Sequence, residues 1–227
     1  MSLIERYVRC GCCGEVSTQF ASPAVQAGHL PPDLDTRPNG PVRATIKTWM
    51  QRCEHCGYCA ADISSIHEHA GDLIESLDYQ RYLTDSRFPE TARPFLCHAL
   101  ILARVGQFAD AGWTCLHAAW ACDDDDANTE GASIARGMAL ENWRRGKLAG
   151  QEFGEPGLED ALVTDLLRRM GRFEDALITC SQALDAATDE GAEVPALIEH
   201  LLRFEKTLIQ KRDSGVYRLN DLPAFRA

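Results

Sequence analysis

Arg9-Cys10-Gly11-Cys12-Cys13-Gly14 and Arg52-Cys53-Glu54-His55-Cys56-Gly57 are two copies of one pattern, an arginine followed by CxxCG. At this spacing two thiolates on one tight turn reach a single tetrahedral ion, and the glycine that follows supplies the positive φ the turn needs. Two such turns make four ligands, so the pattern predicts a structural Zn2+ held by Cys10, Cys13, Cys53 and Cys56. Closing the loop between the turns costs roughly 3 kcal/mol of chain entropy, whereas a thiolate-rich zinc site returns about 10 to 16 kcal/mol of apparent binding energy. The metal wins. Pro23, Pro31, Pro32, Pro38 and Pro41 interrupt the segment between the turns, which has little apolar material for a core of its own.

Working outward, residues 3 to 20 read as strand, cysteine turn, strand. Residues 21 to 41 read as an extended loop with Asp33-Leu34-Asp35-Thr36-Arg37 in its middle. Val42 to Gln51 alternates with period two and predicts a strand that delivers the second turn. Strand, metal turn, strand, twice over, is the arrangement of a zinc ribbon.

After Ala60 the period becomes helical. Leu73, Ile74 and Leu77 predict a first short helix, followed by a connection from Tyr79 to Pro89. Pro94 suits a first turn, and Phe95, Leu96, Ala99, Leu102 and Val105 keep one apolar face until Gly106. A second helix carries Phe108, Ala111, Cys115, Leu116, Ala119 and Trp120 and ends at the acidic run Asp123 to Asp126. Residues 128 to 145 predict another, with Thr129 as N-cap and Ile134, Met138 and Trp143 inward. Beyond a glycine-rich connection, Gly146 to Gly157, come a helix with Leu158, Ala161, Leu162, Leu166 and Met170, and one with Phe173, Ala176, Leu177, Cys180, Ala183 and Leu184. The last has Val194, Leu197, Ile198, Leu201, Leu208 and Ile209. The expected fold class is α+β, mainly α, with a metal-binding domain over 1–70 and a helical domain over 71–227.

Gly106-Gln107-Phe108-Ala109-Asp110-Ala111 aligns with Gly171-Arg172-Phe173-Glu174-Asp175-Ala176, and Cys115 with Cys180. This resembles the tetratricopeptide repeat, with glycine at the inter-helix turn, an aromatic residue two further on and small residues where helices pack closely. Cys10 to Gly14, Asp33 to Arg37, Cys53 to Tyr58, Phe88-Pro89-Glu90, Ala118 to Trp120, Met170 to Ala176 and Leu208 to Asp213 together resemble an uncharacterised bacterial family. Its members join a split zinc ribbon to tetratricopeptide-like helices. The resemblance implies a fold and a metal, and no activity. Cys59 departs from the family pattern, which has a small apolar residue there.

Of the 23 Lys/Arg and 34 Asp/Glu in 227 residues, residues 1–71 hold six and seven, so the net charge of −11 sits almost entirely on the helical part. An acidic surface repels phosphate backbones, which disfavours nucleic acid as a partner. Met1-Ser2-Leu3-Ile4-Glu5-Arg6 lacks the pattern of a secretory signal, and no run approaches 18 apolar residues. The expectation is a cytoplasmic chain without a membrane partner. Six of the ten cysteines fall before residue 60 in metal-type spacings, which fits a reducing compartment.

Other polar groups read more plainly. Cys53, Cys56 and Cys59 form CxxCxxC, so an iron-sulfur cluster is an alternative to zinc, although no fourth cysteine followed by proline completes the ferredoxin run. Cys12 reads as a spare thiol, Cys97, Cys115, Cys122 and Cys180 as small core residues, and His67 and His69 as solvated. His55 lies inside a turn and tunes its surroundings. Asp33, Asp35 and Arg37 are either a recognition surface on a mobile loop or a salt-bridged anchor. Asp123 to Asp126 reads as a solvated loop that caps the next helix. No GxSxG, HExxH, GxGxxG or P-loop pattern is present.

These readings favour a non-catalytic adaptor whose helices offer a groove to a protein or peptide partner. The alternatives are a nucleic-acid-binding ribbon using Arg6, Arg9, Arg43, Lys47 and Arg52 with Trp49 free for stacking, and a metal- or thiol-dependent redox protein.

Overall fold

The computed structural model describes residues 3–26, 28–125, 128–188 and 195–223. Two antiparallel hairpins open the chain, β1 (Ile4–Arg9) with β2 (Val16–Ala21), and β3 (Gln51–Arg52) with β4 (Cys59–Ala60). Helices follow: α1 (Ala70–Ile74), α2 (Leu77–Thr84), α3 (Arg93–Arg104), α4 (Phe108–Asp124), α5 (Thr129–Leu148), α6 (Leu158–Arg169), α7 (Phe173–Thr188) and α8 (Ala196–Gln210). The fold is α+β and mainly α. Among the described residues no helix is long and apolar enough to cross a membrane. Val194 and Asp126, both given places in the sequence reading, lie outside the described residues.

Three expectations need correction. Residues Arg43–Thr48 form a 3-10 helix where alternation predicted a strand. The Thr45 and Thr48 hydroxyls donate to the carbonyls of Val42 and Thr45 three residues back, and the neighbours Thr45 and Ile46 are the buried pair, so the period-two pattern never faces a core. The expected connection from Tyr79 holds α2, whose N-cap Ser76 accepts from the Tyr79 N–H at 3.3 Å. This helix buries Tyr79 and Leu83, four apart, while Leu77 is exposed. Leu177 and Leu197, expected inward, are also exposed. The inward face of α7 is built from the small residues Ala176, Cys180 and Ala183, and in α8 the adjacent Ile198 takes the buried direction.

The chain divides into two compact units, residues 1–27 with 41–151 and residues 28–40 with 152–227. The expected boundary at residue 70 falls inside the first. There the core under the hairpins joins Cys10, Cys53, Tyr58, Ile63, Tyr79 and Ile101. Farther along, α4 packs on α5 closely enough that a Cβ on Gly112 would lie 2.2 Å from the Trp143 ring. In the second unit α6, α7 and α8 pack on one another, and the loop of residues 28–40 is tied to the segment beyond α8 by Leu34 N–H to Tyr217 O and Leu219 N–H to Pro32 O.

The two aligned glycine turns have the same geometry. Gly106 and Gly171 have φ of 79° and 72°, and the N–H of the next residue reaches back to Leu102 O and Leu167 O, each at 2.9 Å. This left-handed stop satisfies carbonyls at the helix end, and the following phenylalanine then opens α4 or α7. Cys115 and Cys180 are fully buried, as small core residues should be.

Candidate metal centre

Each cysteine turn closes in the same way. Gly14 N–H donates to Cys10 O at 2.8 Å and Gly57 N–H to Cys53 O at 3.0 Å, with φ of 78° and 77° at the two glycines. The strands on either side extend the turns: Cys10 N–H donates to Glu15 O and Cys53 N–H to Tyr58 O, each at 2.8 Å. Sequence-local chemistry therefore shapes the turns, and packing brings them together. The Sγ atoms of Cys10, Cys13, Cys53 and Cys56 all lie within 4.8 Å of one another. Cys10 meets Cys56 at 3.8 Å and Cys13 meets Cys53 at 3.6 Å. A tetrahedron with metal–sulfur bonds of about 2.3 Å has edges of about 3.8 Å, so the four sulfurs fit one ion. All four cysteines are free thiols.

The surroundings favour one thiolate and resist the next. Burial raises the Cys53 thiol, but the Ser17 hydroxyl at 3.4 Å and the backbone N–H groups of Cys56 and His55 outweigh it and bring the thiol down to about 6. Burial pushes Cys10 and Cys56 up, and for Cys56 hydrogen bonds to its sulfur neighbours add to that. Crowded thiols of this kind need a cation before all four can ionise.

Several supports were not legible beforehand. The Tyr79 hydroxyl, carried by α2, donates to Gly57 O at 3.0 Å and accepts from Cys59 N–H at 2.9 Å, fixing the second turn from behind. Ser17 also accepts from Glu54 N–H at 3.1 Å. His98 Nδ1 lies 3.2 Å from Cys59 O. Burial, then His67 beside it, lowers the His98 imidazole to about 4.

The other candidates fall elsewhere. Cys59 stands outside the four-sulfur cluster, with its thiol directed to Gly57 O at 3.3 Å, so CxxCxxC does not converge on one site. Cys12 is half-buried, with its N–H toward Cys10 Sγ at 3.4 Å, and His55 Nε2 is 3.1 Å from Val16 O. His69 is solvated next to Glu68, while His67 sits edge-on against His98 at 5.1 Å. Trp49 is committed to packing: it meets His117 at 5.2 Å and Trp120 at 6.4 Å, and its indole N–H donates to Thr45 at 2.7 Å. Asp123 and Asp124 belong to α4 and pair with Arg136 and Arg43, so this stretch is not a purely solvated loop. Asn128 rather than Thr129 caps α5, accepting from Gly131 N–H at 3.0 Å.

Asp33, Asp35 and Arg37 resolve as the anchor. Arg37 meets Asp33 at 2.7 Å and donates its own N–H to Asp35 at 3.2 Å, and all three are essentially inaccessible. Arg169 and Arg218 approach Asp35 and Asp33 at 3.9 and 3.8 Å. In the same unit Arg168 is fully buried, 2.5 Å from Asp165 and 2.6 Å from Glu205, and donates to the carbonyls of Asp213 and Gly215. Among the described residues no donor reaches Asp165 Oδ2 or Glu205 Oε1, both buried, and the two carboxyl groups face each other. Burial, then the Asp165 charge, push the Glu205 carboxyl well above the usual carboxylate range, against the pull of Arg168.

No protein-family model, no curated protein and no solved structure matches the chain.

Proposed function

We propose that the chain is a non-catalytic zinc-binding adaptor, in which a structural Zn2+ on Cys10, Cys13, Cys53 and Cys56 fixes the hairpins and the helices of the first unit receive a protein or peptide partner. The donor set supports zinc: four thiolates at tetrahedral separation suit a borderline-soft d10 ion and leave it no open position for water, which fits a structural role. Zinc would close the hairpins and supply the charge that the crowded thiols need.

The observation that carries the adaptor reading is a groove of about 380 Å3 between α3 and α5. Its walls are mainly apolar, with Leu100, Ala103, Ile134 and Met138, and Glu141 and Arg145 bring both signs of charge to it. Apolar walls with a few placed polar groups are what a short peptide or a partner helix requires. The seating of Trp49 and the pairing of Arg43 remove two of the groups a nucleic-acid surface would use.

Selection of displayed peptides on the zinc-loaded chain tests this. Enriched peptides should lose at least about tenfold in affinity when Ala103→Glu or Met138→Asp fills or charges the groove. Failure of any peptide to enrich, or binding indifferent to both changes, would remove the adaptor reading while leaving the zinc centre intact.

A further inference from the structure

β1 pairs with β2 on one side and with no other strand among the described residues. Cys10 N–H to Glu15 O sets the phase of the ladder. Ile4, Arg6 and Val8 therefore turn their N–H and C=O groups toward β2, while Glu5, Tyr7 and Arg9 turn theirs outward. The same three residues share one side-chain face with Val16, Thr18 and Phe20, and that face is open to solvent: Tyr7 is 73% exposed, Phe20 52% and Val16 44%. An uncovered strand edge under an aromatic face is a template for another strand.

The order of charges selects the occupant. We infer that β1 is a homodimer interface, pairing antiparallel with β1 of a second copy of this chain about a twofold axis through Tyr7. Twofold strand pairing is isologous, so a register centred on Tyr7 sets Glu5 against the partner's Arg9 and Arg9 against the partner's Glu5. It also makes Glu5, Tyr7 and Arg9, whose backbone groups point outward, the hydrogen-bonded rows. Centring on Glu5 or Arg9 places like charges opposite each other, and centring on Arg6 or Val8 leaves Glu5 and Arg9 without a charged partner. The bond from Gly11 N–H to Ile63 O at 2.7 Å occupies the edge beyond Cys10, which confines the pairing to Glu5–Arg9. The product is a four-stranded sheet in which Phe20 and Tyr7 of both copies form one continuous apolar face.

Sedimentation velocity of the zinc-loaded full chain over a wide concentration range tests the inference. A monomer–dimer equilibrium is expected. Glu5→Arg and Arg9→Glu should each raise the dissociation constant by about tenfold or more, because each turns two attractive cross-strand pairs into repulsive ones. An equimolar mixture of the two variants should associate again, since every charge then meets its opposite. Tyr7→Pro removes an outward N–H without touching the β1–β2 ladder, and should abolish association at unchanged zinc content. Arg9 adjoins Cys10, so if Arg9→Glu loses its metal the decision passes to Glu5→Arg and Tyr7→Pro. A chain that stays monomeric at every concentration, a dimer insensitive to Glu5→Arg and Tyr7→Pro, or metal-loaded charge variants that fail to recover on mixing would overturn it.

Discussion

The cysteine hairpins and the loop of residues 28–40 face one problem and solve it by opposite means. Both are proline-interrupted or short-stranded segments with little apolar material, and both must be held by polar groups. The hairpins bring four thiols together, and burial pushes those of Cys10 and Cys56 up, an opposition to ionisation that a bound cation would offset. The loop carries its own counter-ions, Arg37 on Asp33 with Arg169 and Arg218 close by, in a unit whose α6–α8 core also contains Arg168 between Asp165 and Glu205. The lesson concerns conditions: one region should answer to metal, the other to the integrity of its ion pairs, and each should be breakable without the other.

The largest break is expected from Cys53→Ser. Losing one thiolate forfeits most of a metal-linked folding energy on the order of 10 kcal/mol. The hairpins and the core they share with Tyr79 and Ile101 should lose hydrogen-exchange protection, while α6 to α8 keep theirs. Unchanged protection in the hairpins would count against the metal assignment.

Arg168→Leu should come next. It leaves Asp165 and Glu205 buried without their cation and two carbonyls without a donor, at a cost of about 3 to 5 kcal/mol. Urea unfolding should show the loss in the second unit, with zinc content unaffected. A drop in zinc content would show that the two staples are coupled.

A smaller effect sharpens the contrast through pH. Burial lowers His98 and His117 to about 4, against an ordinary 6.5. The unfolded chain therefore binds protons that the folded chain refuses. Stability is complete above the unfolded value and falls as pH drops from about 6.5 toward 4, by up to roughly 3 kcal/mol for each histidine. Both lie in the first unit, so that unit should soften first on acidification, and His117→Phe should flatten part of the slope. An identical slope in the variant would contradict the assignment.

What the sequence showed was local. CxxCG fixes spacing and backbone sign within one turn, so both turns and the four cysteines that cluster were legible, and glycine stops beside phenylalanines marked the starts of α4 and α7. What it hid depended on distant partners. Asp33 and Asp35 look like surface residues until Arg169 and Arg218 arrive from nearly the far end of the chain. Tyr79 and His98 support the second cysteine turn from helices with no motif to announce them. The period-two run before Gln51 misled because threonine hydroxyls curl that segment back on itself, which a hydrophobic pattern does not register.

The central claim, one ion held by sulfurs from two separate turns, is tested most directly by zinc-edge X-ray absorption on the purified chain, with the metal quantified in the same sample. The account predicts one zinc per chain with four sulfur neighbours at about 2.3 Å. Nitrogen or oxygen in the first shell, a metal other than zinc, or cystines among Cys10, Cys13, Cys53 and Cys56 would contradict it.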